Sequence, residues 1–302
     1  MNAAGPTGMG AGAHARAAVL AAFKPNDPLY ARQWPLHDAT AGIRAPSAWR
    51  QSRGEGVVVG IVGSGSRPHP DLRGQSVSGY DFIKNAKAAQ DGSARDGDPT
   101  DMGEGWENDA CGTGIDRVDS AFSGTQLAGL VAAKASNDLG LVGVAPGARI
   151  QHTRVIGKCY TGYTSDALDA MAWTSGGRVP QVPVNKTPAR VMLIPWVDTN
   201  TSCNQAFQQV IDSARARGTV IVVTSGLGGE SPRAIRPANC RGVVVVSGIN
   251  RWGTMAVGNS YGDEVTLTAP VPDFAVAPSA SEIWSTSNAG PIRPSSDNHY
   301  AP

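Results

Sequence analysis

With 302 residues, 41% of them hydrophobic and 17% charged, the chain is long enough for one large α/β domain or two small ones and apolar enough to build a core. A formal net charge of +1 removes the case for a nucleic-acid footprint or an acidic-substrate funnel, and no apolar run approaches the ~20 residues a membrane span needs. The 37 glycines and 21 prolines point to tight turns between short elements, and no charge run or low-complexity linker divides the chain, which favours a single domain.

Residues 1–24 carry an alanine-rich run but no cationic leader or full apolar core, so they read as an N-terminal tail or pro-segment remnant rather than a signal peptide, with the domain proper over 25–302. A short helix is expected over Pro46 to Arg50, because proline suits the first helical position. Gly56 to Val62 is a β-branched run broken by glycines, the pattern of a strand buried on both faces. A helix follows over Ser123 to Ala133, its small residues marking a close neighbour. Next come a turn at Ala145-Pro146-Gly147 and a strand, then an amphipathic helix over Ser165 to Trp173 capped by Ser165 or Thr164.

Strand Ala189 to Ile194, helix Asn204 to Ala216, and strands Val220 to Val223 and Val243 to Ser247 complete the series. Strands alternating with helices over short connections predict an α/β fold, a doubly wound parallel sheet with helices on both faces. Such a sheet puts any site at the carboxyl ends of its strands.

Several ordered segments resemble subtilisin-like serine proteases (subtilases, peptidase S8), in particular a branch of secreted bacterial extracellular proteases. Ser123-Gly124-Thr125-Gln126-Leu127-Ala128-Gly129, continuing to Val144-Ala145-Pro146, is similar to the family's histidine segment, His-Gly-Thr-His-Val-Ala-Gly followed by Gly-Val-Ala-Pro. His69-Pro70-Asp71-Leu72, Pro237-Ala238-Asn239-Cys240, Asn259-Ser260-Tyr261-Gly262 and Leu267-Thr268-Ala269-Pro270 follow the family's order. The resemblance covers roughly Pro25 to Pro302 and implies a subtilisin-like fold and a secreted endopeptidase ancestor.

Laid on that frame, the catalytic positions are substituted. The aspartate that orients the base is Gly63, the base itself is Ser123, and the oxyanion-hole asparagine is Leu227. A serine hydroxyl cannot serve as a general base at neutral pH, and neither can Gln126 at the motif's second histidine. Asp71 and His69 read as structural residues of one loop, and His152 as a packed or surface residue. The substrate-lining strand ends in Ile194-Pro195-Trp196-Val197 where the family has Ser-Leu-Gly-Gly. Pro195 removes a donor and Trp196 fills space that glycine leaves open, so an altered groove is expected.

Ser285-Thr286-Ser287-Asn288-Ala289-Gly290-Pro291 mimics the nucleophile motif, with Ser287 as a decoy. It fits better a Ser-Thr-x-Asn-x-Gly segment that precedes the nucleophile, and Arg293 to Asp297 cannot form the apolar helix the nucleophile caps. The resemblance therefore places the nucleophile helix beyond Pro302, a domain truncated before it.

Four cysteines permit three pairings and lack Cys-x-x-Cys spacing, which favours disulfides over zinc. The resemblance, through Val155-Ile156-Gly157-Lys158-Cys159, pairs Cys111 with Cys159 and Cys203 with Cys240, and implies a secreted or periplasmic protein. An acidic loop carrying Asp91, Asp96, Asp98 and Asp101 has two readings: a Ca²⁺ loop, as related proteases have, or a solvated loop. No other cofactor is expected.

The leading functional expectation is a catalytically inactive homologue with a binding or vestigial role, its partner a polypeptide. The alternative is an active endopeptidase using Ser287 with His69 or His299 as base, which requires those side chains within hydrogen-bond reach of one another. A third reading is a decaying gene product of poor solubility. A corollary of truncation is that a second chain supplies the missing helix.

Overall fold

A computed structural model describes residues 23–198, 202–273, 275 and 278–302, so the tail expected over 1–24 falls almost wholly outside the described residues. In chain order the elements are α1 (Trp34–His37), α2 (Ala45–Ala48), β1 (Val58–Gly63), β2 (Ser76–Asp81), α3 (Ala86–Ala89), α4 (Ser123–Ala132), β3 (Arg149–Arg154) and α5 (Thr164–Thr174). They continue with β4 (Val191–Ile194), α6 (Gln205–Ala216), β5 (Val220–Thr224), β6 (Val244–Ile249), β7 (Leu267–Pro270), α7 (Pro278–Ser281), β8 (Ser285–Ser287) and β9 (His299–Ala301). β1 to β7 form one sheet in the order β2-β3-β1-β4-β5-β6-β7, every pairing parallel, while β8 and β9 pair antiparallel apart from it.

The doubly wound prediction holds because β1 alternates its side chains between two apolar layers. Val59 and Ile61 pack with Ala128 and Ala132 of α4 on one face. Val62 joins Ala170, Met171 and Trp173 of α5 and Phe207, Ile211 and Ala214 of α6 on the other. Gly60 is required there, since a β-carbon would overlap Thr174 at the end of α5.

α6 begins as expected, with the Asn204 side chain accepting the Phe207 N–H at 3.0 Å. α5 does not: its cap residue is Tyr163, with no side-chain cap bond. β2 was missed in sequence because Ser76-Val77-Ser78-Gly79 lacks a β-branched run, and Gly79 is there since a side chain would strike the His152 carbonyl of β3. Both disulfides form as paired in sequence, Cys111–Cys159 and Cys203–Cys240, with Cα separations of 5.8 and 5.1 Å. No helix among the described residues is long and apolar enough to cross a membrane.

Candidate functional site

The carboxyl ends of β1 and β4 and the amino end of α4 converge on one corner, and Gly63 and Ser123 are there. Gly63 closes β1, and its carbonyl accepts the Val155 N–H at 2.8 Å. A β-carbon at Gly63 would lie 3.6 Å from Pro195 Cγ, ordinary contact, so the backbone leaves room for a side chain that the sequence does not supply.

Ser123 is the first residue of α4, and its hydroxyl lies 3.3 Å from that of Ser64. The helix start is held by groups the sequence did not single out for this task. Phe122 adopts a left-handed backbone (φ 50°), and the buried Glu104 carboxylate accepts the Phe122 N–H at 3.3 Å, while Ser64 Oγ accepts the Gly124 N–H at 3.1 Å. An acid at a helix amino end complements the dipole there. The hint was Glu104's place three residues from Asp101 in the acidic loop, but burial cannot be read from composition. Gly124 has to be glycine because a side chain would overlap the Gly65 carbonyl.

Among the described residues no imidazole joins this corner. His69 donates from Nε2 to the His299 carbonyl (3.1 Å) and accepts the Asp71 N–H at Nδ1 (3.2 Å), so both ring nitrogens are spent on backbone, and burial lowers its pKa. The tautomer follows from those two partners. His152 is buried on β3, its ring nitrogens lack hydrogen-bond partners among the described residues, and burial pushes its pKa down to about 4.

Ser287 stands opposite His299 in the β8–β9 pairing, yet it is buried while His299 is exposed, and among the described residues no side-chain hydrogen bond joins it to either histidine. The requirement set by the alternative reading is therefore not met. β8 instead lies along α4, where Ser285 Oγ donates to the Gln126 carbonyl (2.5 Å) and Thr286 Oγ1 to the Thr125 carbonyl (2.7 Å). Gly129 of α4 admits this contact, and it is the close neighbour that the small residues of the helix announced.

Beside the corner is a cavity of about 340 Å³ whose lining includes Tyr160, Tyr163, Trp196, Val197 and Phe207. Trp196 donates from its indole N–H to the Val62 carbonyl at 2.9 Å and meets Phe207 edge-on at 6.4 Å. Of the four expected groove residues, Trp196 and Val197 line the cavity, Pro195 packs against Gly63, and Ile194 is corrected to a core residue because β4 turns it into the apolar layer under α6. Leu227, expected on the resemblance at the oxyanion position, lies past the end of β5, is 79% exposed and pairs by backbone with Asn259.

The acidic loop spends its carboxylates on itself. Asp91 binds Ser93 and Arg154, Asp96 accepts the Asp98 N–H at 2.8 Å, Asp98 caps Thr100 at 3.1 Å, and Asp101 accepts the Gly103 N–H at 2.8 Å. Among the described residues no three acidic, histidine or cysteine side chains converge as a metal cage. Nor is the loop simply solvated: Asp101 and Glu104 are buried, and burial together with the Glu104 charge pushes Asp101 up to about 7.

This parallel-sheet chain has known counterparts: its residues 54–298 match the Subtilase family. The chain belongs to that family. It is 36% identical over 279 residues to the extracellular protease of Xanthomonas campestris pv. campestris, covering 92% of this subtilase and 46% of that protein. It is 37% identical over 279 residues to the extracellular basic protease of Dichelobacter nodosus, covering 90% of this chain and 44% of the relative. The chain thus spans less than half the length of these two relatives.

Among solved structures, proteases from Pseudoalteromonas arctica PAMC 21717 superpose with a TM-score of 0.88 at 38% identity, over 92% of this chain and 81% of the other. A cold-adapted subtilisin-like serine proteinase, at 21% identity and a TM-score of 0.54 over 74% and 65% of the two chains, shares the fold.

Proposed function

We propose that this subtilase is a secreted, non-hydrolytic homologue that holds polypeptide in the groove beside the substituted corner without cutting it. The observation that carries the reading is the Ser64–Ser123 hydroxyl contact at 3.3 Å, beside a Gly63 whose position would admit a side chain. On the resemblance, Gly63 and Ser123 take the aspartate and histidine positions, and neither residue can take up a proton near neutral pH. Leu227 adds the loss of a side-chain donor worth on the order of 10²–10³ in kcat, a magnitude measured on subtilisin, this family's namesake.

The aromatic cavity walled by Tyr160, Tyr163, Trp196 and Phe207 supports retention of an apolar side chain from an extended peptide. Secretion is supported by the extracellular relatives and the two disulfides.

The test is incubation of the purified chain with casein and with a fluorophosphonate probe. No turnover and no labelled serine are expected, together with saturable binding of unfolded casein that Trp196→Ala weakens. Labelling that Ser287→Ala abolishes would restore the hydrolytic reading, and casein binding untouched by Trp196→Ala would remove the groove from it.

A further inference from the structure

The parallel sheet lines up the amino ends of its strands on the face opposite the substituted corner, and an arginine stands at each end in turn. In spatial order these are Arg73 before β2, Arg149 opening β3, Arg53 before β1, Arg190 before β4, Arg217 before β5 and Arg241 before β6. Strands about 4.8 Å apart spread six such positions over roughly 24 Å. The row stops at β7, whose approach carries Asp263 and Glu264, both paired to Arg233.

None of the six is in an ion pair among the described residues, although arginines elsewhere are repeatedly paired, as Arg67 is with Asp297, Arg95 with Asp166 and Arg236 with Asp198. Glu55, the acid nearest in sequence to Arg53, accepts the Arg53 backbone N–H instead. Two more unpaired arginines, Arg178 and Arg215, broaden the row. Arg217 lies against Gly177, the residue before Arg178, and Arg215 extends over Gly242, the residue after Arg241.

Between β4 and β5 the row opens into a cavity of about 330 Å³ walled by Arg190 and Arg217. Arg217 is held in place by donating to the Ser175 carbonyl and hydroxyl at 3.0 and 2.7 Å. A net charge of +1 thus hides a separation of charge, with the carboxylate-rich loop beyond the carboxyl ends of the strands and unpaired guanidinium groups along the amino ends.

We propose that this arginine row is a docking surface for a linear acidic polysaccharide, with the cavity between Arg190 and Arg217 seating one carboxylate or sulfate group. Guanidinium forks match such oxyanions in geometry and are weakly hydrated, so they exchange water for ligand readily. A bilayer would need exposed interfacial aromatic side chains on the same face, and a single-stranded nucleic acid would need stacking platforms. The exposed aromatic residues Tyr160, Tyr163, Trp252 and Tyr261 all follow the carboxyl ends of strands, away from the row, and the half-buried Phe23 beside it is covered by the Arg53 guanidinium, 3.9 Å from its ring centre. The extracellular setting in which such polymers are met rests on the secretion reading above, and the surface itself does not depend on the groove.

The probe is heparin, titrated against the whole chain at low and at about 0.15 M salt, where the screening length is about 8 Å. The test variant is Arg178→Glu/Arg190→Glu/Arg241→Glu, three exposed residues whose side chains make no hydrogen bond among the described residues. The control of equal charge is Lys87→Glu/Lys158→Glu/Arg293→Glu, on segments at the opposite end. Heparin binding that weakens with salt is expected, with a loss on the order of a hundredfold in the test variant at low salt, as for cations placed against an anionic surface.

The control should bind as the parent does, and circular dichroism should show both variants folded. Absence of heparin binding by the parent chain, equal loss in the control, or tighter binding to anionic vesicles or duplex DNA at the same salt would overturn the proposal. Casein binding is read separately, so failure here leaves the groove reading standing.

Discussion

His152 provides the sharpest physical test of the core. It is 3% exposed on β3, both ring nitrogens lack partners among the described residues, and burial alone pushes its pKa down to about 4. In the unfolded chain the ring titrates near 6.5, so between these values the unfolded state binds the extra proton and folding stability falls as pH falls. Stability is fully present above about pH 6.5 and is lost progressively toward pH 4, and integrating from pH 7 to about pH 4.5 gives a loss of about 2 kcal/mol from this one residue.

Asp81 and Asp101, each raised to about 7 chiefly by burial, act in the opposite sense, losing their contribution as pH rises from about 4 toward 7. They are common to parent and variant and cancel in a difference. Urea unfolding of the parent and of His152→Leu should therefore show a stability gap that shifts by about 2 kcal/mol in favour of the variant between pH 7 and 4.5. A gap independent of pH would refute the reasoning, because it would mean that the ring is protonated or solvated in the native state.

Two further outcomes are expected. Arg154 is fully buried and bonds Asp81, Asp91 and the Ala89 carbonyl, so Arg154→Met should cost about 3–5 kcal/mol by stranding the Asp81 carboxylate, whereas Arg154→Met/Asp81→Leu should recover much of it; a double variant as unstable as the single would contradict this. Replacing Cys111 and Cys159 by serine opens a loop of sequence separation 48, and the chain-entropy estimate puts the loss at about 4 kcal/mol, checked by the urea midpoint of the variant against the parent.

The segment around Ser123 was legible in sequence because the residues that identify it are local. The frame around Ser123 is set by small residues that α4 needs under β8, with Gly124 against the Gly65 carbonyl and Gly129 against Thr286. Those steric demands hold whatever residue stands at position 123. β1, α6 and the alternation of strand and helix were legible for the same reason, since burial on two faces and an asparagine cap leave their marks within a few residues of one another. β2 left no such mark, because its glycine answers to a carbonyl on β3.

What the sequence determined by itself was the kind of scaffold and, once the resemblance was seen, the cysteine pairing. Only the tertiary structure decided where the remaining polar groups go. It committed both nitrogens of His69 to backbone, buried Ser287 along α4, turned Glu104 from an acidic-loop residue into the cap of that helix, and gathered arginines far apart in sequence into one row. Hydrogen bonds and charges act through distances of a few ångströms, and in a doubly wound sheet those distances are fixed by strand order and crossover, which no local run of residues records.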